Sequence, residues 1–195
     1  MTHFILCSGM ARHGKDTSAE FIKENLEEAG YSVLITHYAD LLKFICKNFF
    51  GWNGEKDEAG RTLLQKIGTD CIRSQNPDYW VNFIVNLVKM FPDRYDFIII
   101  PDTRFPNEIE RIQDAGFDVA HIRVVRNEFT SALTDEQKQH PSETALDGTI
   151  PDYWLYNSTL EQLKNDVKVL CEVITSNKSP EYVQLSVFDN PEATT

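Results

Sequence analysis

Short apolar runs alternate along the chain with longer stretches in which apolar residues recur every three or four positions. The short runs predict β-strands at residues 4–7, 33–35, 97–100, 119–124 and 153–156. The run at 97–100 is continuous and rich in isoleucine, which is typical of a strand buried on both faces of a parallel sheet. The longer stretches predict helices between the strands. This alternation predicts an α/β fold with a parallel sheet.

Individual residues indicate where the helices begin and end. Gly30 is placed to end the first helix, and Asp40 is placed to cap the next one at its N-terminus. Pro77 is placed to open a later helix, because proline is tolerated in a first helical turn. The polar stretch 51–60 contains three glycines and predicts a loop, and a helix over residues 61–73 is expected to follow it.

Apolar spacing also predicts which residues form the core. The helix after Pro77 carries an apolar stripe, most of which we expect to be core: Trp80, Phe83, Ile84, Leu87 and Val88. Residues 126–150 are polar and poor in aliphatic side chains, which predicts a mobile or inserted segment. Residues 176–195 have the composition of a loosely attached tail, in which 182–187 could add an edge strand. Since no linker or repeat divides the rest, we expect one domain over residues 1–175.

Composition and charge narrow the range of partners. The chain has 195 residues, of which 19 are basic and 30 acidic, so its formal net charge is −11. A surface this negative is repelled by nucleic-acid backbones, so we expect no nucleic-acid partner; small anionic ligands need only local positive charge. No apolar run approaches the roughly 20 residues that span a bilayer, and no signal-peptide pattern is present, so we expect no membrane partner. The four cysteines are scattered, which favours free thiols in a reducing cytoplasm.

The stretch Gly9-Met10-Ala11-Arg12-His13-Gly14-Lys15-Asp16-Thr17 carries the sharpest chemical signal. It matches the pattern G-x-x-x-x-G-K, follows the first predicted strand and opens the first predicted helix. Glycines let the backbone curl so that several N–H groups face one anion, and the helix N-terminus adds partial positive charge. We therefore predict a loop that binds the phosphates of ATP, with Lys15 reaching the outer phosphates. An ordinary glycine turn is the alternative.

The residues after Lys15 depart from the general pattern, in which a serine or threonine ligates Mg²⁺. Asp16 stands in that place and could hold the ion directly or through water, while Thr17 could contact an inner phosphate. The alternative is that both residues simply cap the helix.

A second acidic position follows the strand at 97–100. Asp102 lies where a phosphate-loop enzyme places its second magnesium-organising carboxylate, and Arg104 would face the same crevice. A pair that only shapes a turn is the alternative. Five arginines fall in predicted loops or at element ends, where a phosphate clamp would be assembled: Arg12, Arg73, Arg104, Arg123 and Arg126. Arg94 and Arg111 are expected to be surface charges, and Arg61 could be either.

Several motifs together resemble the deoxynucleoside monophosphate kinases of tailed bacteriophages. Besides the loop at 9–17, the matching motifs are Leu64-Gln65-x-x-Gly68-Thr69-Asp70-x-x-Arg73 with Tyr79-Trp80, Asp102-x-Arg104-Phe105-Pro106-Asn107-Glu108, His140-x-Ser142-Glu143 and Asn157-x-Thr159-Leu160. These matches span about residues 4–165, and an aspartate after the lysine is normal for this family. The animal phosphomevalonate kinases share a similar Gly-Lys-Asp loop.

The resemblance implies a P-loop NTPase fold of the nucleoside monophosphate kinase type. Its three α/β/α layers would enclose a parallel sheet, with a monophosphate-binding region at about residues 38–80 and a lid at about 126–150. It implies transfer of the γ-phosphoryl group of ATP to a deoxynucleoside monophosphate, with Mg²⁺ as cofactor. Related enzymes suggest a homodimer, which would act in the host cytoplasm if the chain is phage-encoded.

The resemblance also implies roles for individual residues. The residues assigned to ATP are Gly9, Arg12, Gly14, Lys15, Asp16 and Thr17. The residues assigned to the acceptor are Arg73, Trp80, Arg104 and Arg126. Lys15, Asp102 and Arg104 are assigned to catalysis, and Asp16 and Asp102 to Mg²⁺. His140–Glu143 is expected to be structural or to belong to the lid. Two rival hypotheses stay open: a kinase of the same fold with another small phosphorylated acceptor, such as phosphomevalonate, and a nucleotide-binding regulatory module without transfer activity.

Overall fold

A single parallel sheet organises the molecule. The computed structural model describes residues 2–126 and 138–176. The five strands are β1 (His3–Ser8), β2 (Val33–Ile35), β3 (Phe97–Ile100), β4 (Asp118–Val125) and β5 (Tyr153–Tyr156). They pair in the order β2-β3-β1-β4-β5, and every pair is parallel. The predicted strands and the predicted parallel sheet are thus confirmed, and β3 lies inside the sheet between β2 and β1.

Helices connect the strands along the described chain. They are α1 (Lys15–Glu28), α2 (Tyr38–Phe49), α3 (Glu58–Gln65), a π-helical segment (Lys66–Arg73), α4 (Tyr79–Met90), α5 (Pro106–Asp114), α6 (Pro141–Thr144) and α7 (Leu160–Thr175). The π-helical segment continues α3 without a break in the chain. The elements described between β4 and β5 therefore include α6, in the C-terminal part of the region expected to form a lid.

The sheet separates two apolar cores, which makes the fold three-layered. Successive side chains of a strand point to opposite faces, so Ile5 packs with residues of α1 and α7 while Phe4 packs with residues of α4 and α5. On the first face Ile22 and Leu163 are fully buried. This arrangement confirms the α/β/α architecture, and it brings the C-terminal ends of all five strands to one edge of the sheet.

Several predicted boundaries were wrong in detail. Helix α2 begins at Tyr38, so Asp40 is its third residue rather than its cap, and its Oδ2 accepts a hydrogen bond from the His37 N–H at 3.1 Å. Helix α3 begins at Glu58, inside the stretch predicted to be a loop, because the Asp57 side chain accepts the Gly60 N–H at 2.7 Å. Helix α4 begins at Tyr79, two residues after the proline expected to open it.

The helix predicted over residues 61–73 changes its winding half-way. Its first part belongs to α3, whereas Lys66–Arg73 is π-helical. Apolar spacing cannot distinguish these two windings over so short a stretch, because both place an apolar side chain on the same face about once per turn.

Most of the apolar stripe of α4 is core, as predicted, with two exceptions. Trp80, Ile84 and Val88 are buried, but Phe83 and Leu87 keep 43% and 40% of their surface exposed. A helix covered on one side by a sheet buries a limited arc, and these two side chains lie on its flank.

Four further features predicted from the sequence concern the end of α1, the cysteines, membrane-spanning helices and the segments after β4 and α7. Gly30 follows the end of α1 with φ 93°, as a glycine that ends a helix does. All four cysteines are free thiols. In the described part of the chain, no helix is both long and apolar enough to cross a membrane. Residues 127–137 of the expected lid, and the possible edge strand at 182–187, lie outside the described residues.

Candidate active site

The loop between β1 and α1 has the backbone shape that its sequence predicts. Gly9 and Gly14 adopt φ values of 134° and 97°, a region that side chains disfavour. A Cβ atom on Gly9 would lie 2.3 Å from the carbonyl oxygen of Val124, so only glycine lets the loop approach β4 this closely. A Cβ atom on Gly14 would lie equally close to Asn157 Nδ2, whose amide donates to the carbonyl of His13 at 3.0 Å. The loop is therefore fixed in a curled form.

Lys15 lies inside this loop rather than in solvent. Its side chain is buried, and Nζ donates to the carbonyl oxygens of Gly9 and Met10, both at 2.8 Å. Burial, reinforced by the nearby charge of Arg104, lowers the pKa of Lys15 to about 8. The ammonium group is thus held by neutral carbonyls, and an anion that entered the loop would stabilise its charged form.

Two cavities meet at the loop. The smaller cavity, of about 400 Å³, is lined by Arg12, Gly14, Lys15, Asp16, Thr17, Arg126 and the segment Asn157-Ser158-Thr159-Leu160. The larger cavity, of about 620 Å³, extends from the loop across α2, α3, the π-helical segment and the loop before α5. Arg12, Lys15 and Asp16 line both cavities. The lysine therefore lies where two separately bound molecules would meet.

Positive charge is concentrated around the larger cavity. Seven basic residues line it: Arg12, Lys15, Lys43, Lys56, Arg61, Arg73 and Arg104. Four carboxylates line it as well: Asp16, Asp102, Glu108 and Glu143. The chain as a whole carries a formal charge of −11, so the cavity differs in sign from the rest of the molecule. A site of this kind attracts small anions although the protein repels large polyanions.

Asp16 is paired with a histidine that the sequence analysis did not single out. His37 Nε2 lies 3.0 Å from Asp16 Oδ1, and this hydrogen bond raises the pKa of His37 and lowers the pKa of Asp16. His37 Nδ1 also lies 3.3 Å from Asp40 Oδ2. The imidazole therefore links the phosphate loop to the N-terminus of α2.

Asp102 positions the same helix end. Its Oδ1 and Oδ2 accept the backbone N–H groups of Tyr38 and Ala39, each at 3.0 Å. Burial raises the pKa of Asp102, although these hydrogen bonds and the nearby His37 act in the opposite direction. A carboxylate at a helix N-terminus is also stabilised by the helix dipole. Asp102 thus fixes α2 against the strand end, whatever else it binds.

The carboxylates of Asp16 and Asp102 fit a magnesium ion that would be held partly by the protein and partly by phosphate oxygens of a bound nucleotide. Within residues 2–126 and 138–176, no group of three or more His, Cys, Asp and Glu side chains could hold a metal ion by itself. Mg²⁺ is usually held by one or two carboxylates together with substrate phosphates. The Asp16 side chain is 84% exposed and open to such an ion. Asp102 is the more constrained of the two, because each of its oxygens already accepts an amide.

Arg73 is held towards the larger cavity by a buried carboxylate. Its Nη2 donates to Glu108 Oε1 at 2.5 Å, and its guanidinium lies 3.9 Å from the ring centroid of Phe105. Glu108 Oε2 accepts hydrogen bonds from the backbone N–H groups of Arg104 and Phe105 at 2.7 and 3.1 Å. Burial raises the pKa of Glu108, while the charge of Arg73 opposes that shift. Glu108 therefore orients Arg73, the arginine predicted to bind phosphate, before any ligand is bound.

Arg104 is held in the same manner by the region after β4. Its Nη1 donates to Glu143 Oε1 at 2.7 Å and to the carbonyl of Ser142 at 3.2 Å. Helix α6 is thereby tied to the cavity wall. The same region is anchored to the sheet by Arg123, which donates to the carbonyl of Leu146 at 2.9 Å and to Asp147 at 2.8 Å. Arg123 therefore holds the segment after α6 against β4, and it does not line either cavity.

The other residues predicted for the site divide between the two cavities. Trp80 lines the larger one, but it is mostly buried and its Nε1 donates to the carbonyl of Gly68 at 3.1 Å. Thr17 lines the smaller cavity. Arg126, which was expected to bind the acceptor substrate, also lines the smaller cavity. Its backbone N–H donates to His13 Nδ1 at 3.2 Å. Of the arginines left open, Arg61 lines the larger cavity.

Some residues that shape the site were not identified as functional from the sequence. Glu108 and Glu143 were visible only as members of motifs, and Tyr38 only as the edge of a region. Within the described chain, two buried side-chain atoms lack a hydrogen-bond partner, the Tyr38 hydroxyl and Glu143 Oε2. Both residues line the larger cavity. Buried polar atoms are normally paired, so this concentration indicates a site arranged for a polar ligand.

Comparison with known proteins gives the family. Residues 36–167 match the family model described as deoxynucleotide monophosphate kinase, and the phosphate loop precedes the matched segment. The deoxynucleotide monophosphate kinase of Enterobacteria phage T4 is 34% identical over 125 residues, which cover 60% of this chain. They cover 49% of the phage protein, so the chain spans about half the length of that relative.

Solved structures give the fold. The Deinococcus radiodurans tunicamycin resistance protein aligns with a TM-score of 0.52 at 12% identity, over 97% of this chain and 100% of its own. Shikimate kinase from Bacteroides thetaiotaomicron aligns with a TM-score of 0.51 at 14% identity, over 89% of this chain and 98% of its own. These likenesses support the α/β/α fold that the sheet order indicates. With the family model covering most of its length, the chain belongs to the deoxynucleotide monophosphate kinase family.

Proposed function

We propose that the protein is an ATP-dependent deoxynucleoside monophosphate kinase, which transfers the γ-phosphoryl group of ATP to a deoxynucleoside monophosphate to give the diphosphate and ADP. One observation carries the proposal: two cavities meet at Arg12, Lys15 and Asp16. A regulatory module that only bound a nucleotide would need one cavity. Family membership and the name of the phage T4 relative support the choice of a deoxynucleotide as acceptor.

ATP is assigned to the smaller cavity and the loop. The amides of the curled loop and the N-terminus of α1 face the phosphates, as in other phosphate loops. Thr17 and Arg126 line this cavity beside the triphosphate, and Asn157–Leu160 form the wall left for the adenosine. On binding, Lys15 would exchange its two carbonyl partners for phosphate oxygens, which stabilise its positive charge.

The acceptor is assigned to the larger cavity, with its phosphate near Arg73 and Arg104. Arginine can bind a phosphate through two parallel hydrogen bonds, and each of these two guanidinium groups is already oriented by a glutamate. Trp80 offers part of an apolar wall for the nucleoside. The region at about residues 38–80 would thus hold the monophosphate.

In the transfer step, an oxygen of the acceptor phosphate attacks the γ-phosphorus in line, and the bond from that phosphorus to the leaving oxygen of ADP breaks. Positioning and charge neutralisation account for most of the catalysis of such reactions. Lys15 and Arg104 are the groups placed to neutralise the transferring phosphoryl group. When bound, Mg²⁺ held by Asp16 and by Asp102, directly or through water, would neutralise further charge on the phosphates.

The region at about residues 126–150 is proposed to close over the phosphates and exclude water. Its described C-terminal part contacts Arg104 through Ser142 and Glu143, so movement of this region and placement of that arginine are linked. Exclusion of water favours attack by the acceptor over hydrolysis.

A panel of acceptors tests the proposed function. The purified chain would be incubated with ATP and Mg²⁺, and ADP release would be followed with each common deoxynucleoside monophosphate, with phosphomevalonate and with no acceptor. We expect ADP release only with one or more nucleotides. A phosphorylated acceptor without a base that outperforms every nucleotide would refute the proposal. ATP binding without any acceptor-dependent ADP would instead indicate a regulatory module.

A further inference from the structure

The larger cavity has an apolar part beside its charged part. Leu42, Leu64 and Trp80 line it. The indole of Trp80 is tied to Gly68, and a Cβ atom on Gly68 would lie 2.6 Å from Leu42 Cδ2. The π-helical segment therefore packs closely between α2 and α4. Flat apolar and aromatic faces of this kind suit the ring of a nucleobase, whose faces are poorly hydrated.

The π-helical winding lets one stretch of chain serve both parts of the cavity. In an α-helix, Gly68 and Arg73 would face about 140° apart, because each residue turns the chain by about 100°. The i to i+5 hydrogen-bond repeat of a π-helix returns residues five apart to the same side. Both residues do line the cavity, together with Gln65 and Thr69. One wall thus carries a cation at its C-terminal end and an amide at its N-terminal end.

The amide of Gln65 is available for a ligand. The residue is half-buried in the cavity wall, and within the described chain its side chain makes no hydrogen bond. Other side-chain amides near the two cavities are engaged: that of Asn157 bonds to His13, and that of Asn107 to Asp78 at 2.7 Å. Gln65 therefore keeps one acceptor and one donor group unused beside an apolar surface.

We propose that Gln65 reads the edge of the acceptor's base, an inference that rests on the proposed function. With the phosphate at Arg73 and Arg104, the nucleoside extends along the wall towards Gln65. At the α-helical rise, the backbones of Arg73 and Gln65 are separated by about 12 Å along the helix axis. Every base presents a hydrogen-bond donor beside an acceptor. A glutamine side chain can turn its amide over to match either order, so this residue admits more than one base.

Two substitutions at this position change the hydrogen-bonding groups in opposite ways. Gln65→Glu leaves two acceptors, which match the adjacent N1–H and N2–H donors of guanine and repel the ring-edge acceptors of the other bases. The ratio of kcat/KM for dGMP to that for dTMP should rise about tenfold or more, the scale of one bidentate contact. Gln65→Leu removes donor and acceptor alike and should raise KM about tenfold for each base that the wild type accepts. The affinity for ATP should stay unchanged in both variants.

Gln113→Glu and Gln113→Leu provide the matched control, because Gln113 is exposed on α5 and lines neither cavity. These two variants should leave the base preference and the KM values unaltered. If Gln65→Glu binds ATP normally but keeps the wild-type dGMP to dTMP ratio, the inference is overturned while the proposed function stands. The same holds if Gln65→Leu keeps the wild-type KM values. A wild-type chain that phosphorylates no nucleotide overturns the proposed function and this inference with it.

Discussion

At the scale of single residues, the state of Lys15 governs how the site meets its ligand. Its ammonium group is buried, has a pKa of about 8 and is held by two backbone carbonyls. A lysine of this kind carries its charge at neutral pH but is close to losing it. Bound triphosphate would stabilise the charged form and raise that pKa. Binding and protonation of this one side chain are therefore coupled.

We predict that ATP affinity falls with rising pH above about 8. Above the pKa of the free protein, binding must take up a proton, so the dissociation constant should rise by up to about tenfold per pH unit. Isothermal titration calorimetry from pH 6.5 to 9.5 in buffers of equal ionic strength would measure it. Lys15→Arg keeps its charge throughout and should not show this fall above pH 8. A wild-type profile as flat as that of the arginine variant would contradict the prediction.

The part of the site whose geometry could be predicted from local sequence alone is the part that is contiguous. The loop from Gly9 to Thr17 carries its glycines, its lysine and its helix start within nine residues, so the pattern alone specifies the geometry. The supporting residues could not be found in this way. Glu108 and Glu143 meet their arginines across sequence separations of 35 and 39 residues, and only the folded sheet brings them together.

At the scale of elements, Glu108 joins three parts of the cavity wall. It is the third residue of α5, it accepts the N–H groups that precede the helix, and it holds Arg73 of the π-helical segment. Its carboxylate is 1% exposed, so solvent cannot replace a partner that is lost. The start of α5 and the position of Arg73 therefore depend on the same side chain.

We predict that Glu108→Gln lowers the free energy of unfolding by about 2 kcal/mol. The amide nitrogen of glutamine faces a donor whichever way it turns, and Arg73 loses its counter-charge. The gain from no longer burying a carboxylate offsets part of this loss. Urea unfolding at pH 7 would measure the change. Glu110→Gln on the same helix alters an exposed residue and should stay within about 0.5 kcal/mol of the wild type. Equal effects of the two substitutions would refute the assigned role.

The elements differ in how far sequence predicts them. All five strands were predicted to within one residue at either end. In an α/β chain, a short apolar run between turn residues nearly always forms a buried strand. The π-helical winding of Lys66–Arg73 was not predicted, since it depends on the packing of Gly68 against Leu42 and on the indole of Trp80. Sequence periodicity does not contain such contacts. The missed element is also one of those that line the larger cavity.

At the scale of the whole molecule, the distribution of apolar surface is uneven. In the described part of the chain, eleven large apolar side chains are exposed, and eight of them come from α2, α4 and the residues just after each helix. Tyr79 is the first residue of α4, and the other seven are Phe44, Phe49, Phe50, Phe83, Leu87, Met90 and Phe91. On α4 the exposed positions recur at helical spacing on the flank of the buried face. We call these seven side chains the apolar flank. Exposed apolar side chains concentrated on two neighbouring helices are typical of an interface.

We predict that a second copy of the chain covers the apolar flank, which gives a homodimer. Negatively charged molecules with a formal charge of −11 repel each other, so association needs an apolar contact to overcome that repulsion. Light scattering coupled to size-exclusion chromatography should give twice the chain mass of 22.4 kDa. The double substitution Phe83→Glu and Leu87→Glu should give a folded monomer, because each carboxylate would have to be desolvated at the interface.

Ile150→Glu is the control, since Ile150 is the most exposed large apolar residue described outside the flank and the substitution adds one carboxylate where the double variant adds two. This variant should remain a dimer. A monomeric wild type would show that the prediction is wrong. If the control dissociates as readily as the double variant, added charge alone explains the loss of association, and the flank is not the interface. Because neither Phe83 nor Leu87 lines a cavity, a folded monomer should still bind ATP. Loss of both dimer and ATP binding would instead place α4 in the support of the phosphate loop.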